Sequence, residues 1–367
     1  MLGVESLLSQ SLSHFAQLEV LDLRHFSAAQ LRPLLRDEAE RWQRRLHWDY
    51  TRASNMLLDY LDSRILPGFV ALQAGHIVGY AFCVCDGAKA VIGDVYAFGE
   101  TESTVNPICE TLLHHLLELV QATPGVDRIE SQLLMFPDGA LSEVFRARGF
   151  VSYPRCFMLR DLEAHPSGMD MDPGLLTPDR SLVLQAWQPE YYEGTAQLIH
   201  RCYANHMDAG INDQYRTLHG AQRFLHNIIR FPGCGVFDPE NSWVLREAEA
   251  TFDSNRNGGT APQTPAIEAV LLCSRVRGDV DHITQICIAP SLRGQGLGQI
   301  MLEHCAREGV KRGVRQLSLT VTEANLPARH LYERNGFSTL HRFEAMVRDS
   351  NASEISDRSG AGAVSIR

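Results

Sequence analysis

The apolar residues follow two patterns along the chain, the spacing of helices and the short apolar runs of strands. The helices and strands that these patterns predict come in the same order in each half of the chain. In the C-terminal half, helical spacing predicts helices over residues 190–205, 220–229, 296–312 and 327–334. Runs rich in β-branched and other apolar residues predict strands over residues 242–246, 266–275, 282–288, 316–321 and 338–347. This mixture predicts an α/β fold, in which a central mixed, mostly antiparallel sheet carries helices on both faces.

The N-terminal half repeats this order of elements. Helices are predicted over residues 28–45, 52–65, 107–120 and 139–148, and strands over 18–23, 69–72, 76–85, 90–98, 128–134 and 151–159. The segment VFRARGF (Val144–Phe150) aligns with LYERNGF (Leu331–Phe337), which places Gly149 opposite Gly336. The repeat predicts a tandem duplication of one domain.

Stretches rich in proline, glycine and polar residues divide the chain. We expect a first, degenerate domain over residues 1–162, a linker over 163–180, a catalytic domain over 181–348 and a disordered tail over 349–367. A polar segment over residues 250–265 is expected to be a surface insertion between two strands. The length of 367 residues also favours two domains, because single cores rarely grow beyond about 250–300 residues.

Composition and charge exclude several classes of protein. The hydrophobic share of 44% is that of a folded chain. The formal net charge of −10 argues against a general affinity for nucleic acid or anionic membranes. No apolar run approaches the roughly 20 residues that span a bilayer. We therefore expect neither a nucleic-acid partner nor a membrane partner.

The cysteines and histidines lack the spacing of a metal site. The nine cysteines include no C-x-x-C pair, and the 15 histidines include no H-E-x-x-H motif. The N-terminal segment also lacks the basic start of a signal peptide. These features favour reduced structural cysteines, no bound metal and a cytoplasmic location.

A cluster of glycines marks the start of one predicted helix. The segment RGQGLG (Arg293–Gly298) follows the predicted strand over residues 282–288 and opens the helix over 296–312. The first amides of a helix lack partners within it and carry partial positive charge, so glycines there let an anion approach the backbone closely. We predict that this loop binds a diphosphate.

Two common phosphate-binding motifs do not fit the loop. A P-loop requires lysine after its last glycine, and none follows here. The G-x-G-x-x-G motif of dinucleotide-binding folds fits Gly294 and Gly296, but Gln299 stands where its third glycine is needed. The pattern that remains is R-x-x-G-x-G, formed by Arg293, Gly296 and Gly298.

With this pattern, the C-terminal half resembles the GNAT superfamily of acyl-CoA-dependent N-acyltransferases, whose signature is (Q/R)-x-x-G-x-(G/A) between the fourth strand and the next helix. The segment VTEANLPARHLYERNGF strengthens the resemblance, because it carries the family's residues at Asn325, Ala328, Leu331, Tyr332, Gly336 and Phe337. The resemblance implies an N-acetyltransferase that transfers the acetyl group of acetyl-CoA to a primary amine, by direct attack and a tetrahedral intermediate.

The resemblance also assigns the residues that bind coenzyme A. The pantetheine arm would lie along the strand residues Ile286, Cys287 and Ile288. The diphosphate would take the amides of the loop residues Arg293, Gly294, Gln295, Gly296, Leu297 and Gly298. Asn325 would contact the arm of coenzyme A, and Tyr332 would lie against it as well.

Two residues match the catalytic groups of the family. Tyr332 would act as the general acid that protonates the departing thiolate. His282 would be the general base, since an imidazole with an ordinary pKa near 6.5 can take an ammonium proton. Asp281 and Gln285 are the alternatives for the base.

Acceptor specificity in the superfamily depends on the first two helices and their connection, here HRCYANHMDAGINDQYRTLHG. Tyr203, His206, Asp208 and Tyr215 in this segment would suit a cationic or polar amine, although ordinary solvated side chains would give the same pattern. The acceptor would be a small molecule or a protein amino group. The protein itself would be a monomer or a homodimer.

The N-terminal half departs from the family pattern. Phe145 stands where Tyr332 stands, Asp138 where Asn325 stands, and the segment around Asn106 has no glycine. Because phenylalanine has no proton to donate, we predict that this half keeps the fold without the catalysis. The alternative function for the whole chain is a non-catalytic acyl-CoA-binding or regulatory module, and a scaffold of two inactive folds would bind no coenzyme A.

Overall fold

The chain folds into two compact units, and neither is contiguous in sequence. A computed structural model describes residues 18–99, 107–166, 181–248 and 266–350. Within these residues, unit 1 comprises 18–41, 54–152 and 343–350, and unit 2 comprises 42–53 and 153–342. The predicted insertion over 250–265 lies outside the described residues, as do most of the predicted linker and tail.

Unit 1 is built on a mixed sheet. Its strands, in spatial order, are β1 (Leu18–Asp22), β2 (Gly68–Gln73), β3 (His76–Asp86), β4 (Lys89–Ala97) and β5 (Arg128–Gln132), followed by residues 343–349 of the last strand, β13 (Ser338–Asp349). Only β4 and β5 run parallel; the other neighbours are antiparallel.

Helices cover both faces of this sheet. Successive strand residues point to opposite faces, so Val70 and Tyr80 join a core with helices α1 (Ala28–Leu46) and α2 (Thr51–Asp62). Their neighbours Ala71 and Ala81 join a core with α3 (Pro107–Ala122) and α4 (Ser142–Arg146).

Unit 2 repeats this plan. Its strands, in spatial order, are residues 153–161 of β6 (Val151–Asp161), then β12 (Gln316–Thr322), β11 (Val280–Ile288), β10 (Ile267–Arg277), β9 (Trp243–Glu247) and β7 (Leu182–Ala186). The short strand β8 (Val236–Phe237) also pairs with β10. Only β11 and β12 run parallel.

The helices of unit 2 also lie on both faces of its sheet. One face packs against α5 (Tyr192–Tyr203) and α7 (Leu218–Arg230), which are connected through the short helix α6 (Asp208–Ile211). The other face packs against α8 (Leu297–Lys311) and α9 (Leu326–Arg334). Both units therefore confirm the predicted mixed α/β fold.

Parts of two strands belong to a different unit from the one that the predicted domain bounds assign to them. Residues 153–161 pair with β12 of unit 2, with Met158 opposite Leu319, although they were expected to close the first domain. Residues 343–349 pair with β5 of unit 1, with Val347 opposite Glu130. The pattern of apolar residues predicts that a strand forms, but β5 and β12 offer similar edges, and periodicity does not choose between them.

The two parallel strands of each unit diverge after a short paired stretch. In unit 2, β11 and β12 pair only from Val280↔Gln316 to Ile283↔Leu319, although β11 continues to Ile288. The register against β10 shifts at the same point, which leaves Thr284 as a bulge residue. The divergence opens a cleft along the end of β11.

The described part of the chain has neither a membrane-spanning helix nor a cluster of metal-binding side chains. No helix there combines the length and apolarity needed to cross a bilayer. No three His, Cys, Asp or Glu side chains there are grouped so that they could bind a metal ion.

Candidate active site

The three glycines of the predicted loop have two different structural roles. Gly294 and Gly296 have φ values of 78° and 76°, a left-handed conformation that costs other residues about 1–2 kcal/mol. A Cβ on Gly298 would lie 3.0 Å from Cδ2 of Leu331 on α9. Gly294 and Gly296 thus shape the turn into α8, and Gly298 lets α8 and α9 pack closely.

This turn presents a run of backbone amides. The first helical hydrogen bond runs from the N–H of Ile300 to the carbonyl of Gly296 at 3.1 Å. No acceptor among the described residues binds the N–H groups of residues 294–299. Free amides at a helix start carry partial positive charge and bind anions. The loop thus has the donors that the predicted diphosphate site requires.

The side chain of Arg293 holds the turn in place. Its Nε donates to the carbonyl of Ile288 at 3.2 Å, and its Nη2 donates to the carbonyl of Cys202 at 3.4 Å. Arg293 therefore joins the loop to the end of β11 and to α5.

The end of β11 turns one backbone edge toward the cleft. The N–H of Ala289 bonds to Glu268 beside β10 at 2.8 Å. Because edges alternate along an antiparallel strand, the backbone groups of Ile286 and Ile288 face the side from which β12 has diverged. On that side the hydroxyl of Tyr203 donates to the carbonyl of Ile286 at 3.3 Å. Cys287, between them, points its buried thiol into the core, and burial raises the pKa of that thiol.

Tyr332 lies on α9 beside this cleft and is 6% exposed. Its ring packs edge-on against Phe337, with 5.9 Å between ring centroids. Burial raises the pKa of Tyr332, and the nearby Cys287 and Asp208 raise it further. The hydroxyl is therefore protonated at neutral pH and able to donate.

Asn325 caps the helix that carries Tyr332. Its Oδ1 accepts from the N–H of Ala328 at 3.3 Å, which satisfies one of the free amides of α9. Its Nδ2 lies 3.4 Å from Nε2 of His206. Asn325 thus lies between α9 and the segment predicted to recognise the acceptor.

His282 lies in a different environment from the one its predicted role requires. It is 4% exposed on the paired part of β11, before the strands diverge, and its Nδ1 lies 2.9 Å from Oγ of Ser318. The rings of Trp48 and Phe157 pack against it at 5.0 and 5.8 Å. Burial lowers the pKa of His282 to about 3, so the ring is a weak proton acceptor at neutral pH. This environment argues against His282 as the base.

The two alternatives for the base fit no better. Asp281 is fully buried, accepts from Nδ2 of Asn241 at 2.8 Å and forms an ion pair with Arg275. Gln285 does not titrate; its Oε1 accepts from the Tyr215 hydroxyl at 3.2 Å.

The four residues predicted to recognise the acceptor lie together beside the diverging strands. Tyr203 stacks on Tyr215 at 4.6 Å and meets His206 edge-on at 5.2 Å. The Asp208 carboxylate lies 3.6 Å from Nδ1 of His206. It also accepts from the hydroxyl of Thr322, at the end of β12, at 2.5 Å. The connection between α5 and α7 thus forms a polar wall of the cleft.

Two residues that contribute to this wall were missed by sequence analysis. Thr322 anchors Asp208, and Arg155 lies opposite Thr322 in the pairing of β6 with β12. Nothing in the local sequence marks Arg155, because its position depends on β6 lying next to β12.

A separate cavity lies away from this cleft. It has a volume of about 640 Å³ and runs between α8 and the end of α9, where Arg160, Glu303 and Arg307 line it. Arg160 is already neutralised by Glu303, with 2.8 Å between Nη1 and Oε1. Tyr332 and the acceptor wall do not line this cavity, so it is distinct from the candidate active site.

Part of the chain that forms the cleft matches a known protein family. The model of the acetyltransferase (GNAT) family matches residues 225–337, which include the glycine loop and Tyr332. Streptothricin acetyltransferase from Streptomyces lavendulae is 43% identical over 56 residues, and the matched segment covers 15% of this chain and 30% of that relative.

Two solved structures share the fold over most of the chain. A GCN5-related N-acetyltransferase from Sphaerobacter thermophilus has a TM-score of 0.59 at 14% identity, covering 91% of this chain and 96% of its own. A tandem GNAT protein from the clavulanic acid biosynthesis pathway has a TM-score of 0.50 at 15% identity, covering 91% and 99%. The fold of the chain is thus that of these two structures, and residues 225–337, which carry the glycine loop and Tyr332, match the GNAT acetyltransferase family.

Proposed function

We propose that unit 2 is an acyl-CoA-dependent N-acyltransferase that acetylates a primary amine of a small molecule or a protein. The observation that carries the proposal is the run of free amides over residues 294–299 at the mouth of the cleft that Tyr332 lines. The family typically uses acetyl-CoA, and the match to its model covers both features.

The residues present fit coenzyme A. The amides of residues 294–299 would hold the diphosphate, and the N–H groups of Ile286 and Ile288, on the edge of β11 from which β12 has diverged, would donate to the pantetheine arm. When bound, acetyl-CoA supplies a thioester whose acyl carbon is attacked by the amine. An N–H on the same edge of β11 would polarise the acyl carbonyl.

We assign the base to His206 in place of His282. Nδ1 of His206 accepts from the backbone N–H of Asp208 at 3.2 Å and lies 3.6 Å from the Asp208 carboxylate, so a proton that the ring takes from the acceptor ammonium at Nδ1 would lie beside that carboxylate. The carboxylate then stabilises the imidazolium. Tyr203, packed edge-on against the ring, and Asn325 keep the imidazole in place.

Tyr332 would supply the other proton. Its hydroxyl is protonated at neutral pH, because burial and the nearby Cys287 raise its pKa, and it borders the end of β11 that β12 does not cover. It would donate to the departing sulfur, which leaves more readily as a thiol than as a thiolate. Asn325 supports Tyr332 only indirectly, by capping α9.

A panel of primary amines incubated with acetyl-CoA tests the proposal, with acetylated product detected by mass spectrometry. We expect product with at least one amine, a loss of about 100-fold or more in the His206→Gln variant, and a smaller effect in the His282→Gln variant. Saturable coenzyme A binding without product from any amine would instead indicate the acyl-CoA-binding module. A larger loss in His282→Gln than in His206→Gln would restore His282 as the base.

A further inference from the structure

Arg155 is a half-buried cation with no counterion among the residues that the structure describes. Its single hydrogen bond within the described residues runs from Nη2 to Oγ1 of Thr320 at 3.4 Å, and its Nε is buried without a partner. No described carboxylate forms an ion pair with it. Leaving a partly desolvated charge unpaired is unfavourable, so such a group is expected to meet an anion when the protein functions.

A second arginine on the same strand shows the contrast. Arg160 is 2% exposed and pairs with Glu303 at 2.8 Å, where a hydrogen bond from Nη2 to the His165 carbonyl completes its contacts. Helix α8 of unit 2 thus supplies a counterion to Arg160. Arg155 has none, although it lies only five residues earlier on β6.

The guanidinium of Arg155 lies on the acceptor side of the cleft. Arg155 is opposite Thr322 in the register of β6 and β12, and the hydroxyl of Thr322 binds the Asp208 carboxylate. Burial raises the pKa of Tyr332 and of Tyr215, and the positive charge of Arg155 opposes part of that rise, so Arg155 acts on the proposed acid and on the acceptor wall together. The wall therefore has an anion at Asp208 and an unpaired cation at Arg155.

We propose that Arg155 is the specificity-determining residue for the acceptor, and that the acceptor is a small primary amine that also carries a carboxylate. The inference rests on the proposed acyl transfer in unit 2. The amine would face His206 and Asp208, and the carboxylate would accept hydrogen bonds from the guanidinium. Arginine suits this role because its planar fork of N–H donors matches the two oxygens of a carboxylate.

A preference for acceptors without a carboxylate would exclude Arg155 as the residue that binds an acceptor carboxylate. If Arg155 only tuned the neighbouring tyrosines, a carboxylate on the acceptor would not affect binding. A purely cationic acceptor would be repelled by Arg155 and held by Asp208 alone. Acceptors that differ only in a carboxylate separate these possibilities.

Calorimetric binding to the coenzyme A-loaded full chain is the test, with two pairs of an amino acid and its decarboxylated amine: lysine and cadaverine, and tyrosine and tyramine. We expect the amino acid of at least one pair to bind about 10- to 100-fold more tightly than its amine. Arg155→Met should abolish this preference, and Arg155→Lys should retain part of it. Arg315→Met, which removes an exposed arginine that pairs with Glu163, is the matched control and should change nothing.

Two results would overturn the inference. One is equal or weaker binding of the amino acid in every pair, including the absence of binding to any of them. The other is an equal weakening of both members of a pair in Arg155→Met while coenzyme A still binds. Product formation is measured separately: a carboxylate preference in binding without acetylated product would contradict the proposed transfer alone, and transfer that ignores the carboxylate would contradict the role of Arg155 alone.

Discussion

Units 1 and 2 share one frame and differ in a few chemical groups. In unit 1, Phe145 packs edge-on against Phe150 with 5.1 Å between centroids; in unit 2, Tyr332 packs against Phe337 in the same way at 5.9 Å. The two parallel strands diverge in both, and a bulge residue, Gly93 or Thr284, marks the point. The comparison shows that the aromatic pair and the diverging strands belong to the fold. The hydroxyl of Tyr332 is the chemical group that unit 2 has and unit 1 lacks at this position.

The comparison of the two units also bears on the role of His282. In the paired part of the parallel strands, His282 lies opposite Ser318, and Val91 occupies the corresponding place in unit 1, opposite Glu130. The half-buried Val91 shows that unit 1 needs no titratable side chain at this position. The buried, neutral imidazole of His282 fits a packing role better than a catalytic one.

Of the predicted variants, Tyr332→Phe, which places in unit 2 the phenylalanine of unit 1, should lower activity the most. Tyr332→Phe removes only the hydroxyl, and Phe145 shows that phenylalanine packs well at this position. We expect kcat to fall by about 10²- to 10⁴-fold, the range of general acid catalysis, with the Kd for coenzyme A unchanged. Steady-state kinetics and calorimetry measure the two quantities. Phe145→Tyr in unit 1 is the reciprocal control and should alter neither; full activity in Tyr332→Phe would exclude the proposed acid.

Gly296→Ala tests whether the glycine loop does more than turn the chain. The left-handed φ of Gly296 makes alanine strain the turn and displace the free amides. We expect the Kd for coenzyme A to rise at least about 10-fold, equivalent to about 1.4 kcal/mol. Gly75 of unit 1 has nearly the same φ, 77°, with no atom within 4 Å of an added Cβ, so Gly75→Ala carries similar strain and should leave the Kd unchanged. Equal effects of the two variants would contradict a ligand role for the loop.

His282→Val, which copies Val91, should have the smallest effect and alters the dependence of stability on pH. The pKa of His282 is about 3 in the folded protein and about 6.5 in the unfolded chain. Between these two pH values the unfolded chain binds a proton at His282 and the folded protein does not. Its contribution to stability is constant above about pH 6.5 and is lost as the pH falls toward 3, by up to about 1.4 kcal/mol per pH unit. Urea denaturation at about pH 7.5, 6 and 5 should show a shallower loss in the variant; parallel curves would contradict a buried neutral imidazole.

Much of the frame follows from local sequence. The helix predicted over residues 296–312 spans Leu297–Lys311, because its apolar spacing and the glycines on either side depend on neighbouring residues alone. The motif residues from Arg293 to Gly298 and Tyr332 lie beside one cleft, and Tyr203, His206, Asp208 and Tyr215 meet at its wall.

Other features depend on contacts between distant residues. His282 has a spacing that suits a catalytic strand residue, and only the packing of Trp48 and Phe157 shows that it is buried. Arg155 enters the acceptor wall because β6 pairs with β12, and this pairing joins residues about 165 positions apart. Periodicity records which face of a strand is apolar, but it does not record which strand lies next to it.

Titration of the full chain with coenzyme A, followed by calorimetry, tests the central claim most directly. We expect saturation at one coenzyme A per chain, with affinity reduced in Gly296→Ala and unchanged in Gly75→Ala. The absence of saturation, or two molecules bound per chain, would contradict the assignment of a single cofactor site to the amides of residues 294–299.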